Sequence, residues 1–146
     1  MAAFLGAEVL HVTIEPDHDD GPRRDGDAAV RWHHRGMSKK ELAQRELMAV
    51  LAGPIAEMIH REVDVAIDRR REWAADWALA MQLAEATGCD RRQFPAMIQM
   101  MTQKLRAMMG RNDFWQAIAE VADLLDAHET IEGDDVNECV ARWLER

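Results

Sequence analysis

Asp76 is the residue of this sequence whose surroundings most demand a chemical explanation. Trp73, Trp77, Ala80, Leu83, Ala84 and Thr87 recur at the spacing of three and four that marks the buried stripe of a helix. Asp76 falls inside that stripe, three residues after Trp73 and four before Ala80. A carboxylate among two indoles and an alanine surface must be neutralised, hydrogen-bonded or bound to a cation, because a lone charge is costly to bury. A cap or an ion pair with an Arg from another helix satisfies that demand, and so does a metal. The residues alone leave both open.

The other reactive side chains form weaker patterns. A zinc helix needs two His four apart with Glu beside the first, so that both imidazoles face one ion and the Glu polarises its water. None of His11, His18, His33, His34, His60 and His128 makes such a pair; His128-Glu129 begins the motif, but Glu132 stands where the second His is required. On a strand, His33 and His34 point to opposite sides. Each histidine reads singly as a surface or satisfied polar residue, although a repurposed metal or small-ligand site around Asp76 with His11 or His60 is a third, weaker option. Gly21 and Gly26 have phosphate-loop spacing, yet Asp27 and Ala28 replace the Lys and Ser/Thr that such a loop uses. Asp17, Asp19 and Asp20 suggest a calcium loop until Pro22, which occupies the turn position that needs Gly. There is no Gly-x-Ser-x-Gly elbow, and neither Cys89 nor Cys139 has an adjacent base to make it a nucleophile. Met97, Met100, Met101, Met108 and Met109 crowd one helix, where they either fill a core or form an adaptable partner surface.

These residues must be positioned by a chain of 146 residues and 16.6 kDa, about one domain's worth. Acidic residues outnumber basic ones 27 to 18, for a net charge of -9, which argues against nucleic acid and against an anionic membrane surface. No stretch approaches the roughly 20 apolar residues of a membrane span. Two cysteines far apart in sequence make no disulfide framework, so a cytoplasmic setting is expected. Residues 8–15 alternate as a strand with Leu10, Val12 and Ile14 on one face, and 28–33 predict a second strand with Val30 and Trp32. A polar loop joins them. From Ser38 the period becomes helical, opening with the capping box Ser38-Lys39-Lys40-Glu41. Leu42, Leu47, Val50, Leu51, Ile55, Met58 and Ile59 face inward, and Pro54 predicts a kink or break. Further helices are expected over 72–87, 92–109, 112–128 and 134–144. The expected fold is mainly α: a single domain over 1–146, with a small N-terminal β element and acidic loop in 1–36 and a bundle of about five helices in 37–146.

The order of segments resembles the peptidase domain of FtsH-type ATP-dependent zinc metalloproteases. Leu5-Gly6-Ala7-Glu8-Val9-Leu10-His11-Val12-Thr13-Ile14-Glu15-Pro16 is similar to the strand that follows the zinc helix in that family. Ala49-Val50-Leu51-Ala52-Gly53-Pro54-Ile55-Ala56-Glu57 resembles its "hydrophobic-Gly-Gly-Arg-Ala-Ala-Glu" helix, with Pro54 as a departure. Asp76-Trp77-Ala78-Leu79-Ala80-Met81-Gln82-Leu83-Ala84 resembles "Asn-Asp-Leu-x-x-Ala-x-x-Leu-Ala", and Glu129-Thr130-Ile131-Glu132-Gly133-Asp134 resembles "Glu-Thr-Leu-Asp-Gly-Asp". The matches are colinear over most of the chain, with residues 88–125 similar only as helices.

The resemblance implies that Asp76 corresponds to the third zinc ligand of the family. The family's His-Glu-x-x-His segment, which carries two ligands and the general base, lies just before the part that matches Met1 to Gly6. Met1 to Gly6 itself reads like the last turn of a helix. Two expectations follow. In one, the chain is a peptidase-like domain without catalytic power that serves as a helical interaction or assembly module, with a protein partner or a second copy. In the other, it is a small zinc metallopeptidase whose His-Glu-x-x-His lies just upstream of Met1.

Overall fold

The computed structural model describes residues 1–16, 26–34 and 36–144. The acidic loop expected between the first two strands, with Asp17, Asp19, Asp20, Gly21 and Pro22, lies outside the described residues. In chain order the elements are β1 (Glu8–Thr13), β2 (Asp27–Arg31), α1 (Lys39–His60), α2 (Ala74–Ala86), α3 (Phe94–Met109), α4 (Asn112–His128), β3 (Thr130–Glu132) and α5 (Gly133–Leu144). The fold is mainly helical, with five helices and a small sheet, as the sequence implies. The chain divides into two compact units: Met1 with His34–Met109, holding α1 to α3, and Ala2–His33 with Gly110–Arg146, holding the sheet, α4 and α5.

In the three-helix unit, α1 starts on the expected capping box. The Ser38 hydroxyl accepts a hydrogen bond from the Glu41 backbone N–H at 3.2 Å, and the Ser38 backbone N–H donates to the Glu41 carboxylate at 2.8 Å. These bonds hold the exposed Glu41 carboxyl below its ordinary range, with the Ser38 backbone the largest cause. Leu47, Leu51, Ile55 and Met58 are fully buried, and α1 packs on both α2 and α3. The helix is not broken at Pro54. Proline forfeits one backbone hydrogen bond, but Pro54 is itself buried, and the buried side chains of Leu51, Ile55 and Met58 on either side anchor the same helix face. Short 3-10 turns at Arg71–Trp73 and Arg91–Gln93 lead into α2 and α3, so both helices begin slightly later than the pattern predicts. On α3, Phe94, Met97, Met101, Leu105 and Met109 form one buried stripe. Most of the methionine-rich face is therefore core, while Met100 is 60% exposed.

The second unit joins residues from both ends of the chain. Its sheet has the order β2-β1-β3, antiparallel throughout, with β1 central. Simple alternation misplaces the buried face of β1. Val9 is buried, whereas Leu10 and Ile14 are 38% and 42% exposed. At Leu10 the cause is a bulge: Val9 pairs with Val30 and His11 with Ala29, leaving Leu10 as the extra residue, while Ile14 lies past the end of β1. One inserted residue reverses the facing of everything beyond it, so Val9 and Val12, three apart, join the same core cluster with Leu125, Ile131 and Val136. The brief strand β3, which the sequence reading did not include, lies in the Glu-Thr-Ile-Glu-Gly-Asp segment. Gly133, directly after it, is buried against β1; a Cβ there would sit 1.8 Å from the Val9 carbonyl oxygen. No side chain fits at that approach. Thr13 and Thr130 hydroxyls pair at 2.7 Å across β1 and β3, and Glu120 on α4 accepts hydrogen bonds from Arg142 and the Trp143 indole on α5.

Candidate functional site

The predicted stripe of α2 exists, with a different distribution of burial. Trp73, Ala80, Ala84 and Thr87 are buried, and the Thr87 hydroxyl is satisfied by donating to the Ala84 carbonyl at 2.6 Å. Asp76 and Trp77 lie at its margin, each half-buried, in the first turn of α2. The Asp76 carboxylate is not a free one. Among the described residues, no three His, Cys, Asp or Glu side chains converge where they could hold a metal ion. Asp76 therefore gathers no ligand set with His60, which is exposed at the end of α1, and His11 is exposed on β1 in the other unit. The described residues do not make up a zinc centre. Candidate chemistry must come from elsewhere.

Trp73 has a structural role that its hydropathy concealed. Its buried indole N–H donates to the Glu57 carboxylate at 2.6 Å, fastening the turn before α2 to α1. Glu57 also pairs with Arg61 one turn on, and Arg61 reaches Glu72 at 3.4 Å. Glu57 sits near the C-terminal end of α1. Its i,i+4 partner Arg61 was visible in sequence; the indole was not.

Trp77 turns away from the buried stripe and lines a cavity of about 770 Å³ in the three-helix unit. One wall is the segment Asp64–Asp68 after α1, together with Met58. Trp77 and Met81 of α2 form a second wall. The third is a face of α3 made by Pro95, Ile98, Gln99, Thr102, Gln103 and Arg106. These residues recur every three or four positions, so they share one helix face, and from Pro95 to Arg106 that face runs roughly 16 Å. The volume is within the range of sites that hold small molecules or peptide side chains.

Polarity within the groove is uneven. Met58, Ile67, Trp77, Met81, Phe94 and Ile98 give it apolar walls, and its ionisable side chains are Asp64, Asp68 and Arg106. Arg106 is fixed from two sides. Its guanidinium donates to the Asp64 carboxylate at 2.9 Å and to the Met58 sulfur at 3.5 Å. The Arg106 side chain is 35% exposed and that of Asp64 is 90% exposed. Asp68 is exposed and makes no ion pair among the described residues. Such a groove can bind an apolar segment and discriminate by charge; it holds no arrangement of nucleophile, base and oxyanion donors.

Helical spacing places Trp77 in the core and leaves Ile98, Gln99, Thr102, Gln103 and Arg106 without a shared apolar mark. A signal for them existed. They form a second periodic row on α3 beside the Met97-Met101-Leu105-Met109 stripe, mixed in polarity and so silent to a search for apolar faces. Comparison of this chain with protein-family models, curated proteins and solved structures finds no match.

Proposed function

We propose that this chain is an FtsH-peptidase-like helical interaction module, which acts by binding a protein segment rather than by hydrolysing it. The observation that carries the reading is the groove of the three-helix unit, about 770 Å³ in volume with an indole and two methionine side chains in its walls. Apolar, half-polar grooves of this size bind segments by burying side chains and excluding water, at about 25 cal/mol per Å² of apolar surface. Methionine and tryptophan suit such a surface, since one adapts to irregular shapes and the other offers a large rigid face. The resemblance to the peptidase domain enters as the source of the helical framework, with Asp76 as a remnant of its metal position.

The test combines an activity and a binding measurement. Incubated with an unfolded polypeptide and zinc, the protein is expected to release no new amino termini. An amphipathic leucine-rich peptide is expected to perturb the Trp77 indole N–H resonance, with micromolar saturation. Zinc-dependent cleavage that disappears in Asp76→Ala would overturn the reading in favour of a metallopeptidase.

A further inference from the structure

We infer that the groove of the three-helix unit receives an amphipathic helix of a partner protein whose apolar face ends in a Lys or Arg, and that this cation pairs with Asp68. The inference rests on the interaction-module reading and adds the chemistry of the partner. The charges that line the groove decide the sign. Two carboxylates, Asp64 and Asp68, face one guanidinium, Arg106. Arg106 is occupied: it bonds Asp64 at 2.9 Å and Met58 at 3.5 Å, and it is the less exposed member of its pair. An incoming anion would have to share Arg106 with Asp64 and would meet two carboxylates at the same wall. An incoming cation displaces nothing, because Asp68 makes no ion pair among the described residues.

The walls favour the same occupant. Trp77 presents an aromatic surface within the groove, and an indole face attracts Lys or Arg as well as apolar groups. The lining face of α3 extends roughly 16 Å, the length of about three helical turns. A partner helix of that length sets apolar side chains at i, i+3/i+4 and i+7 against Ile98, Met81 and Met58, with a basic residue one turn further on. Arg69 and Arg71 follow Asp68 in sequence without lining the groove, and Arg70 pairs with Glu72 at 3.8 Å.

Three acetylated and amidated peptides of about 14 residues, or roughly four turns, test the proposal against the intact chain. All carry the same leucine face, ending in Lys, Gln or Glu. The Lys peptide is expected to bind about threefold to fivefold more tightly than the Gln peptide, the strength of an exposed ion pair. Asp68→Asn, which removes the charge from that wall and keeps the side chain's size, is expected to abolish that preference. Raising salt to about 0.3 M is expected to narrow it. Equal binding of all three peptides, tighter binding of the Glu peptide, or an undiminished Lys preference in Asp68→Asn overturns the inference while the interaction-module reading stands. If no peptide perturbs the Trp77 indole resonance, the interaction-module reading fails as well.

Discussion

The α1–α3 unit carries twelve Lys and Arg against ten Asp and Glu, a net charge of +2, whereas the sheet-bearing unit carries six against seventeen, a net charge of -11. The two also differ in how they are assembled. The first is built from consecutive helices whose buried faces are dominated by Leu, Ile and Met. The second pairs β1 with β3 across more than a hundred residues of chain and packs β1 against α5. A charge of -9 for the whole chain therefore describes neither half. The acidic excess belongs to the sheet-bearing unit. In a nearly neutral unit, the recognition proposed for the groove would depend on individual groups such as Asp68, acting at contact range rather than by long-range steering.

The difference in construction is best broken at Gly133. Replacing it with Ala drives a Cβ into the Val9 backbone carbonyl, which has no flexible end to yield. The expected loss is more than about 4 kcal/mol, in the range of severe backbone clashes and strain. Hydrogen exchange should show it as lost protection at β1, β3 and α5; an unchanged melting temperature would mean that the close approach is not required. The three-helix unit should fail differently. Leu51→Ala leaves a hole in a fully buried helix face and is expected to cost about 3 kcal/mol, read by chemical denaturation. A cost below about 1 kcal/mol would show that the methionines around it collapse into the space.

The smallest expected effect is one of pH, again in the sheet-bearing unit. Burial is the main cause that pushes the Cys139 thiol above its ordinary range, with the negative charge of Glu120 adding to it. The folded state therefore holds this proton more firmly than the unfolded chain. The associated stability is complete below the unfolded thiol value of about 8.5 and is lost as pH rises through the folded value. Thermal melts at rising alkaline pH should show a decline that Cys139→Ala reduces. An identical decline in the variant would assign it to other groups.

Much of this fold was legible in the sequence for local physical reasons. The Ser38–Glu41 capping box and the α1 core face depend on neighbours three or four residues away, and hydrophobic period reports such neighbours directly. The facing of β1 was not legible, since a bulge at Leu10 reverses it and leaves no mark in the alternation of side chains. Pro54 does not break α1, since the helix face that carries it is buried. The candidate site was legible only in part. Trp77 and Asp76 stood out as an oddity within a stripe, while Arg106 and Asp64, forty-two residues apart, gave no sign that they would meet.

By itself, the sequence determined the helical class, the start of α1 and the core-facing row of α1, because these arise from interactions within a few turns of chain. It also determined the overall charge. Tertiary structure alone decided that Asp76 and Trp77 sit at the edge of the core, that Trp77 faces a groove, and that Asp64 pairs with Arg106. Those outcomes depend on which segments distant in sequence become neighbours, and packing, unlike helical period, has no fixed spacing along the chain.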